Sequence, residues 1–441
     1  MSVQSPKLSN RTQSQRVCAV PRTAVPAAIT TLLESAIAEC PVPIAINLWN
    51  VQYLRAYAGP VRLTLYFRHP GVLRNLLLFR DRMFLTECWI SNLFDFEGSL
   101  EDMIAVAQYL SSRRLPLRAV LQACVCAATL PALSMSDVVR YGKTHTVRRV
   151  GSNASDIQHH YDVGNEFYKL FLDPNLVYSC AHFERDDFTL AQAQEAKLDL
   201  ICRKLRLQPG ETFLDIGCGW GALLCWAAKN YGVTACGITL SPAQREYGLK
   251  RVQEEGLANR VRIELMDYRQ MPADWQFDKI ASIGMIEHVG VRNYSAYFTA
   301  ALDVLKHDGL FLCHGITTSR RAQGGSFEGK FVRKYIFPGG ELAELPELVG
   351  HARHEGFETV DVDAWRPHYV KTLRCWSHNL QSHMEQAVDI AGERVTKLWL
   401  LYMTASAKGF EENWLRIYQV LLRRSDSAIW NLPMTRADWL M

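Results

Sequence analysis

The stretch Phe213-Leu214-Asp215-Ile216-Gly217-Cys218-Gly219-Trp220-Gly221 decides the reading of this chain. A short apolar strand runs into a tight turn with glycines at alternating positions, and the spacing predicts a helix starting near Ala222. Glycine lets the backbone turn at positive φ and leaves no Cβ between main chain and ligand. The dinucleotide fingerprint G-x-G-x-x-G is not met, because Ala222 stands where its last glycine would fall, and no G-x-x-x-x-G-K-[ST] occurs. Asp215, two residues before the first glycine, suits a ligand that carries a cation. S-adenosylmethionine (SAM), with a sulfonium and an amino group, answers that description. Taken alone, the same residues also fit an ordinary glycine turn.

Working outward, the pattern alternates strand and helix. The predicted strands are Thr212–Ile216, Val233–Thr239, Val261–Met266, Phe277–Ile283 and Gly309–Gly315, with helices Ala222–Tyr231 and Pro242–Glu255 between them. Phe357–Val362 and Ile417–Leu422 are later strands, and Lys330–Leu380 interrupts the alternation and is expected to cover the site. Such alternation argues for a parallel sheet covered on both faces, with ligands beyond the carboxyl ends of its strands. Upstream, residues 1–25 read as a disordered tail, 26–135 as a smaller α+β domain associated with lipid or membrane, 136–160 as a linker and 161–430 as the catalytic domain. In the smaller domain, Val61–Phe67 and Leu93–Glu97 are expected strands, and Val72–Leu78 and Met103–Leu110 expected helices. Leu115–Leu133 is apolar and bears cysteines, as suits a helix on a membrane, on a partner or in a core.

Composition narrows the classes. The 441 residues allow two or three domains at roughly 100–200 residues each. A net charge of +4 is too mild for nucleic acid, and no base-handling motif such as N-P-P-Y occurs. No apolar run reaches about 18 residues, so no transmembrane helix is expected. Met1–Arg22 lacks an apolar signal core, so a cytoplasmic location with peripheral membrane contact is expected. The twelve cysteines show neither C-x-x-C nor ligand spacing, and no metal site is expected.

Further residues cluster at strand ends. Strand two ends in Gly237-Ile238-Thr239-Leu240-Ser241-Pro242-Ala243-Gln244, without the acidic residue that often holds a ribose. Thr239, the backbone near Leu240, and Gln244 would do that work with neutral hydrogen bonds. Asp267-Tyr268 ends strand three, where an adenine is often gripped. Glu287 follows strand four and His314 lies at the end of strand five, so the two are predicted neighbours across adjacent strand ends. Each alone reads as structural; together they read as an acid/base or anion-holding group.

Six motifs occur in order: H-H-Y-D-V-G-N-E-F-Y (159–168), Y-S-C-A-H-F (178–183), L-D-I-G-C-G-W-G (214–221), G-I-T-L-S-P-A-Q (237–244), G-M-I-E-H-V-G (284–290) and K-Y-I-F-P-G-G-E-L (334–342). On these the chain resembles the cyclopropane-fatty-acyl-phospholipid synthase and mycolic acid cyclopropane synthase family over about residues 150–425. The resemblance implies a class I SAM-dependent methyltransferase fold, Rossmann-like, with a mostly parallel seven-stranded sheet, a helical cover and a smaller α+β N-terminal domain. It implies that Tyr178 and Ser179 contact SAM, and that Gly217, Gly219 and Gly221 form the loop under its methionine end with support from Asp215. Thr239, Leu240 and Gln244 would hold the ribose, and Asp267 with Tyr268 would border the adenine. Glu287, His314 and Tyr369 match side chains that hold a bicarbonate ion in the family, with the backbones around Cys180 and Ile316 completing the cradle. The implied reaction is methylene transfer from SAM to a cis double bond of an unsaturated phospholipid in a bilayer, with a homodimer as an implied assembly. Ser406 stands where some family members carry a cysteine, which argues against a covalent cysteine mechanism. Two other outcomes use the same scaffold: methyl branching of a lipid or methylation of a small amine, and a non-catalytic lipid-binding protein.

Overall fold

The computed structural model describes residues 23–143, 163–319, 330–331, 334–336, 341–428, 430 and 432–440. The polar tail, His159–Asp162, Arg148, Arg149, Arg333 and Phe337–Gly340 lie outside the described residues. The described residues form two compact units: those up to 143 together with 392–401, and those from 163 to 391 together with those from 402 onward.

In the first unit, strands β1 (Ile44–Leu48), β2 (Gln52–Arg55), β3 (Leu63–Phe67) and β4 (Phe94–Glu97) make a sheet of order β2-β1-β3-β4. β1 and β3 run parallel; the other pairs are antiparallel. Alternate residues of β3 are buried, as its period-two pattern requires. The helix Pro70–Phe79 starts where Pro70 fixes φ and His69 Nδ1 accepts from the Gly71 amide at 3.0 Å. β1 and β2 have too little alternation to read from sequence; β1 is buried along nearly its whole length. Residues 392–401 join this unit through Lys397, which bonds Trp89 O and Asn92 Oδ1, and through Arg394, which pairs with the buried Glu87.

In the second unit, β5 (Thr212–Ile216), β6 (Thr234–Thr239), β7 (Val261–Leu265), β8 (Phe277–Ile283), β9 (Leu305–Thr318), β10 (Phe357–Ala364) and β11 (Leu415–Arg424) form one seven-stranded sheet of order β10-β11-β9-β8-β5-β6-β7. β11 is antiparallel to both neighbours; the other pairs are parallel. β9 begins four residues before the expected Gly309, because Leu305 already pairs with Phe277 ahead of a register shift. β5 is buried at four of its five residues, the pattern of a strand covered on both faces. The strand order reverses beside β5, and its carboxyl end opens on the crevice where ligands of this fold class bind. Helix Leu190–Lys204, opened by a Thr189–Gln192 capping box, packs beside helix Ala222–Tyr231.

Candidate active site

The glycine turn does what its residue types require. Gly217, Gly219 and Gly221 adopt φ of +84°, +54° and +78°. These are left-handed values that a side chain resists. Gly221 caps helix Ala222–Tyr231 and packs beside Ile263. A cavity lies over this turn, lined among others by Tyr178, Ser179, Asp215, Gly217, Gly219, Thr239, Leu240, Gln244 and Tyr268. Thr239 Oγ1 donates to Gln244 Oε1 at 2.9 Å and accepts from the Ser241 amide at 3.2 Å, which holds the end of β6 in shape. Asp267 is not among the residues lining this cavity: its carboxylate is held by Arg269 at 2.6 Å, and it caps the short turn Tyr268–Gln270. Tyr268, its neighbour, lines the cavity.

Asp215 is buried, and its Oδ1 has no hydrogen-bond partner among the described residues. Burial pushes its carboxyl up to about 7, against the pull of nearby Lys197. Lys197 is itself 1% exposed, with Nζ on Ser179 Oγ at 2.7 Å. Burial brings its ammonium down to about 8, while Asp173, Cys180 and Asp215 hold it up. One turn earlier, Gln194 Nε2 donates to Val177 O and Ser179 O, so this helix pins the Val177–Ser179 lip. Neither residue was expected from the sequence. Gln194 and Lys197 continue the stripe of Leu198 and Ile201 on the buried face, and polar residues on an apolar stripe were the available signal. His288, also on the cavity wall, is brought down to about 4 by burial.

Glu287 follows the carboxyl end of β8, and His314 lies on the neighbouring strand β9. Glu287 Oε1 accepts from the Ile316 amide at 2.7 Å, while Oε2 is buried without a partner among the described residues. Burial pushes its carboxyl up to about 7, against its own amide and that of Ile316. The Ile316 amide, expected to face an ion, is thus committed to Glu287. His314 is 1% exposed; Nδ1 lies 3.0 Å from Gln419 Nε2, and Nε2 has no partner among the described residues. Burial takes its imidazole well below its usual value. Gly315 allows the close approach: a Cβ there would meet Ile286 Cγ2 at 2.1 Å and Glu287 Oε2 at 3.5 Å. Tyr369 is buried on helix Arg366–Ser382 against Phe410, ring centroids 4.7 Å apart.

Cys180 is fully buried, with Sγ on Ala181 O at 3.4 Å, and burial raises its thiol far above the ordinary range. Such a thiol is not a nucleophile. The Ala181 amide next to it donates to Thr372 Oγ1 at 3.0 Å, tying this loop to helix Arg366–Ser382. Tyr402, fully buried, shares hydrogen bonds with Tyr178 and Ser406. The Phe183 ring carries Lys371 at 4.4 Å, and the Tyr335 ring carries Lys334 at 4.7 Å.

The chain has counterparts among known proteins. Residues 148–420 match the family described as mycolic acid cyclopropane synthetase. The chain belongs to that family. It is 42% identical over 291 residues to the "probable fatty acid methyltransferase" of Pseudomonas putida, covering 65% of this chain and 74% of that protein. It is 40% identical over 275 residues to cyclopropane mycolic acid synthase 1 of Mycobacterium tuberculosis, 60% of this chain and 95% of that one. Mycolic acid cyclopropane synthase CmaA1, solved in complex with SAH and CTAB, superposes with a TM-score of 0.59 at 38% identity, over 62% of this chain and 99% of its own. This family member is an enzyme, a SAM-dependent methyltransferase with SAM as co-substrate. Among the described residues no helix is long and apolar enough to cross a membrane.

Proposed function

We propose that this enzyme transfers a methylene group from SAM to a cis double bond in an unsaturated acyl chain of a membrane phospholipid, giving a cyclopropane ring and S-adenosylhomocysteine. The observation that carries the proposal is that Glu287 Oε2 and His314 Nε2 are both buried without a partner among the described residues, Glu287 lying in sequence between the cavity-lining Met285 and His288. Buried polar atoms without partners are expensive, and a site that keeps two of them has a ligand to meet them.

The reaction breaks the S–CH3 bond, forms a carbon–carbon bond to the alkene, and closes the ring when the transferred methyl loses one proton. Asp215 and the glycine loop would hold the donor's ammonium end, and Lys197 would face its carboxylate. Tyr178 and Ser179 would fix the methionine chain, with Thr239, Leu240 and Gln244 at the ribose and Asp267 and Tyr268 at the adenine. The residues also fit a bicarbonate ion: Glu287 Oε2 would accept its hydroxyl, His314 Nε2 would donate to it, and Tyr369 and the backbone near Cys180 would close the cradle, while the Ile316 amide holds Glu287 in place. Bicarbonate bound there supplies a base for the methyl proton. Apolar walls such as Leu198, Ile201 and Trp220 keep water from a developing cation.

Membrane contact fits one element of the first unit. Helix Leu117–Ala128 exposes Leu117, Leu121 and Val125 (72%, 58% and 71%) at helical spacing. Arg114 and Arg118 lie at its start, Arg113 being paired with Glu39, and residues 113–128 hold no acidic side chain. Each such charge near an anionic surface contributes about 1 kcal/mol.

The test is incubation with SAM and liposomes of mono-unsaturated phospholipid, with Glu287→Gln in parallel. The expected product is one methylene heavier, resists ozonolysis and shows cyclopropane proton resonances; the variant makes little of it. A heavier product that ozone still cleaves would point to methylation without ring closure, and no lipid product would overturn the proposal.

A further inference from the structure

Three neighbouring strands set Asp363, Gln419 and His314 side by side, since β10 pairs Asp363 with Gln419 and β9 pairs His314 with the same Gln419. Residues directly opposite on antiparallel strands project to the same face. Lys204, the last residue of helix Leu190–Lys204, is 3% exposed and reaches into this row. Its Nζ bonds Asp363 Oδ2 at 2.6 Å and Gln419 Oε1 at 2.8 Å. Trp365 Nε1 donates to the same Asp363 oxygen at 2.8 Å, and the Trp365 ring stands edge-on to His314 at 5.0 Å.

The chemistry of these groups removes an ambiguity that geometry alone leaves in amides and imidazoles. An ammonium only donates, so the Gln419 atom that faces Lys204 is the oxygen. Burial lowers the Lys204 ammonium from its usual value, and the Asp363 carboxylate at 2.6 Å opposes that shift and holds Nζ in place. The Gln419 amide therefore turns its NH2 toward His314, and His314 Nδ1 must accept. A neutral imidazole with Nδ1 as acceptor carries its proton on Nε2. Nε2 is the buried atom without a partner among the described residues.

We propose that Lys204 and Gln419 are positioning residues that fix the Nε2–H tautomer of His314, so that the imidazole always presents a donor to the anion site. The functional meaning rests on the proposed bicarbonate role of His314; the tautomer itself does not. Nothing in the Asp363–Lys204–Gln419 row touches the donor cavity. Its effect on turnover passes through His314 alone, and SAM affinity should be indifferent to it.

The experiment uses the full chain labelled with 15N at histidine. Multiple-bond 1H–15N spectra report the tautomer, and His314→Gln assigns the signals by their loss. The wild type is expected to show a pyrrole-like Nε2 and a pyridine-like Nδ1. Gln419→Glu is isosteric and keeps a partner for Lys204, but puts a second acceptor against Nδ1 and should draw the proton there. Turnover should then fall about 100-fold, the usual loss for one preorganised donor, with SAM affinity by calorimetry and the melting temperature near wild type. Lys204→Met should free the amide and give a mixture of tautomers, and Lys204→Arg should restore a single one. A wild-type His314 protonated on Nδ1, or a Gln419→Glu spectrum identical to wild type, would overturn the proposal. A protein with the expected tautomer that forms no cyclopropane would instead overturn the reaction proposed above and leave this arrangement standing.

Discussion

Glu287 and Asp215 are held in conditions that oppose their charge, and the opposition is measurable. Burial raises the Glu287 carboxyl from 4.5 to about 7. The folded state thus binds the proton more tightly than the unfolded state across that window. Stability owed to this group is full below it and lost as pH rises through about 7. At about 1.36 kcal/mol per pKa unit, Glu287→Gln should stabilise the protein by on the order of 3 kcal/mol at alkaline pH and by little at acid pH. Thermal melts of both proteins near pH 5 and 8 check this; equal melting points at both would refute it. Lys197 is the second residue to probe. Lys197→Met removes a buried cation from the donor cavity and with it the pull that keeps the Asp215 carboxyl from rising further, so Asp215 is more often neutral and SAM affinity should drop about tenfold or more, a loss of about 1.4 kcal/mol or greater. Calorimetry with SAM is the measurement, and unchanged affinity would remove Lys197 from the donor site. Glu287 and His314 could be read from the chain because polar residues at the ends of apolar strands stand out. Lys197 could not, since a lysine on a helix ordinarily faces water.

Among the elements, β9 and the turn after β8 meet at a distance only glycine permits. Gly315→Ala should push the Ile286–Glu287 turn outward. A destabilisation of about 1–3 kcal/mol is expected, typical of overpacking, with turnover reduced far more than SAM binding. Adding Ile286→Ala removes the clashing Cγ2 and should recover part of the turnover; no recovery would mean the loss is not steric. The helix Leu117–Ala128 makes a prediction of its own. If its exposed stripe meets the bilayer, Leu121→Asp should weaken co-sedimentation with anionic liposomes, and wild-type binding should decline as salt rises. Binding indifferent to salt, to anionic lipid and to this substitution would dismiss the helix as the docking element. Its sequence is apolar enough to be a core helix, and only the packed structure separates its covered alanines, Ala123 and Ala127, from its exposed stripe.

For the whole molecule, the joining of residues 392–401 to the first unit has a practical consequence. A chain begun at residue 150 would keep Lys397 and Arg394 but lose their partners Trp89, Asn92 and Glu87. Such a truncation should melt lower and aggregate at concentrations where the full chain stays monodisperse, as light scattering during a thermal ramp would record. The sequence alone determined the strand–helix alternation and the glycine turn with its acidic residue. These follow from periodicity and from backbone restrictions that act within a few residues. Only the tertiary structure decided that Lys197 underlies the cavity, that Asp267 turns to Arg269, and that Lys204, Gln419 and His314 form one row. Those relations depend on strand order and register, which bring residues more than two hundred positions apart, such as Lys204 and Gln419, within hydrogen-bonding distance. No local pattern encodes such a meeting, because it exists only after the hydrophobic faces of sheet and helices have closed on one another.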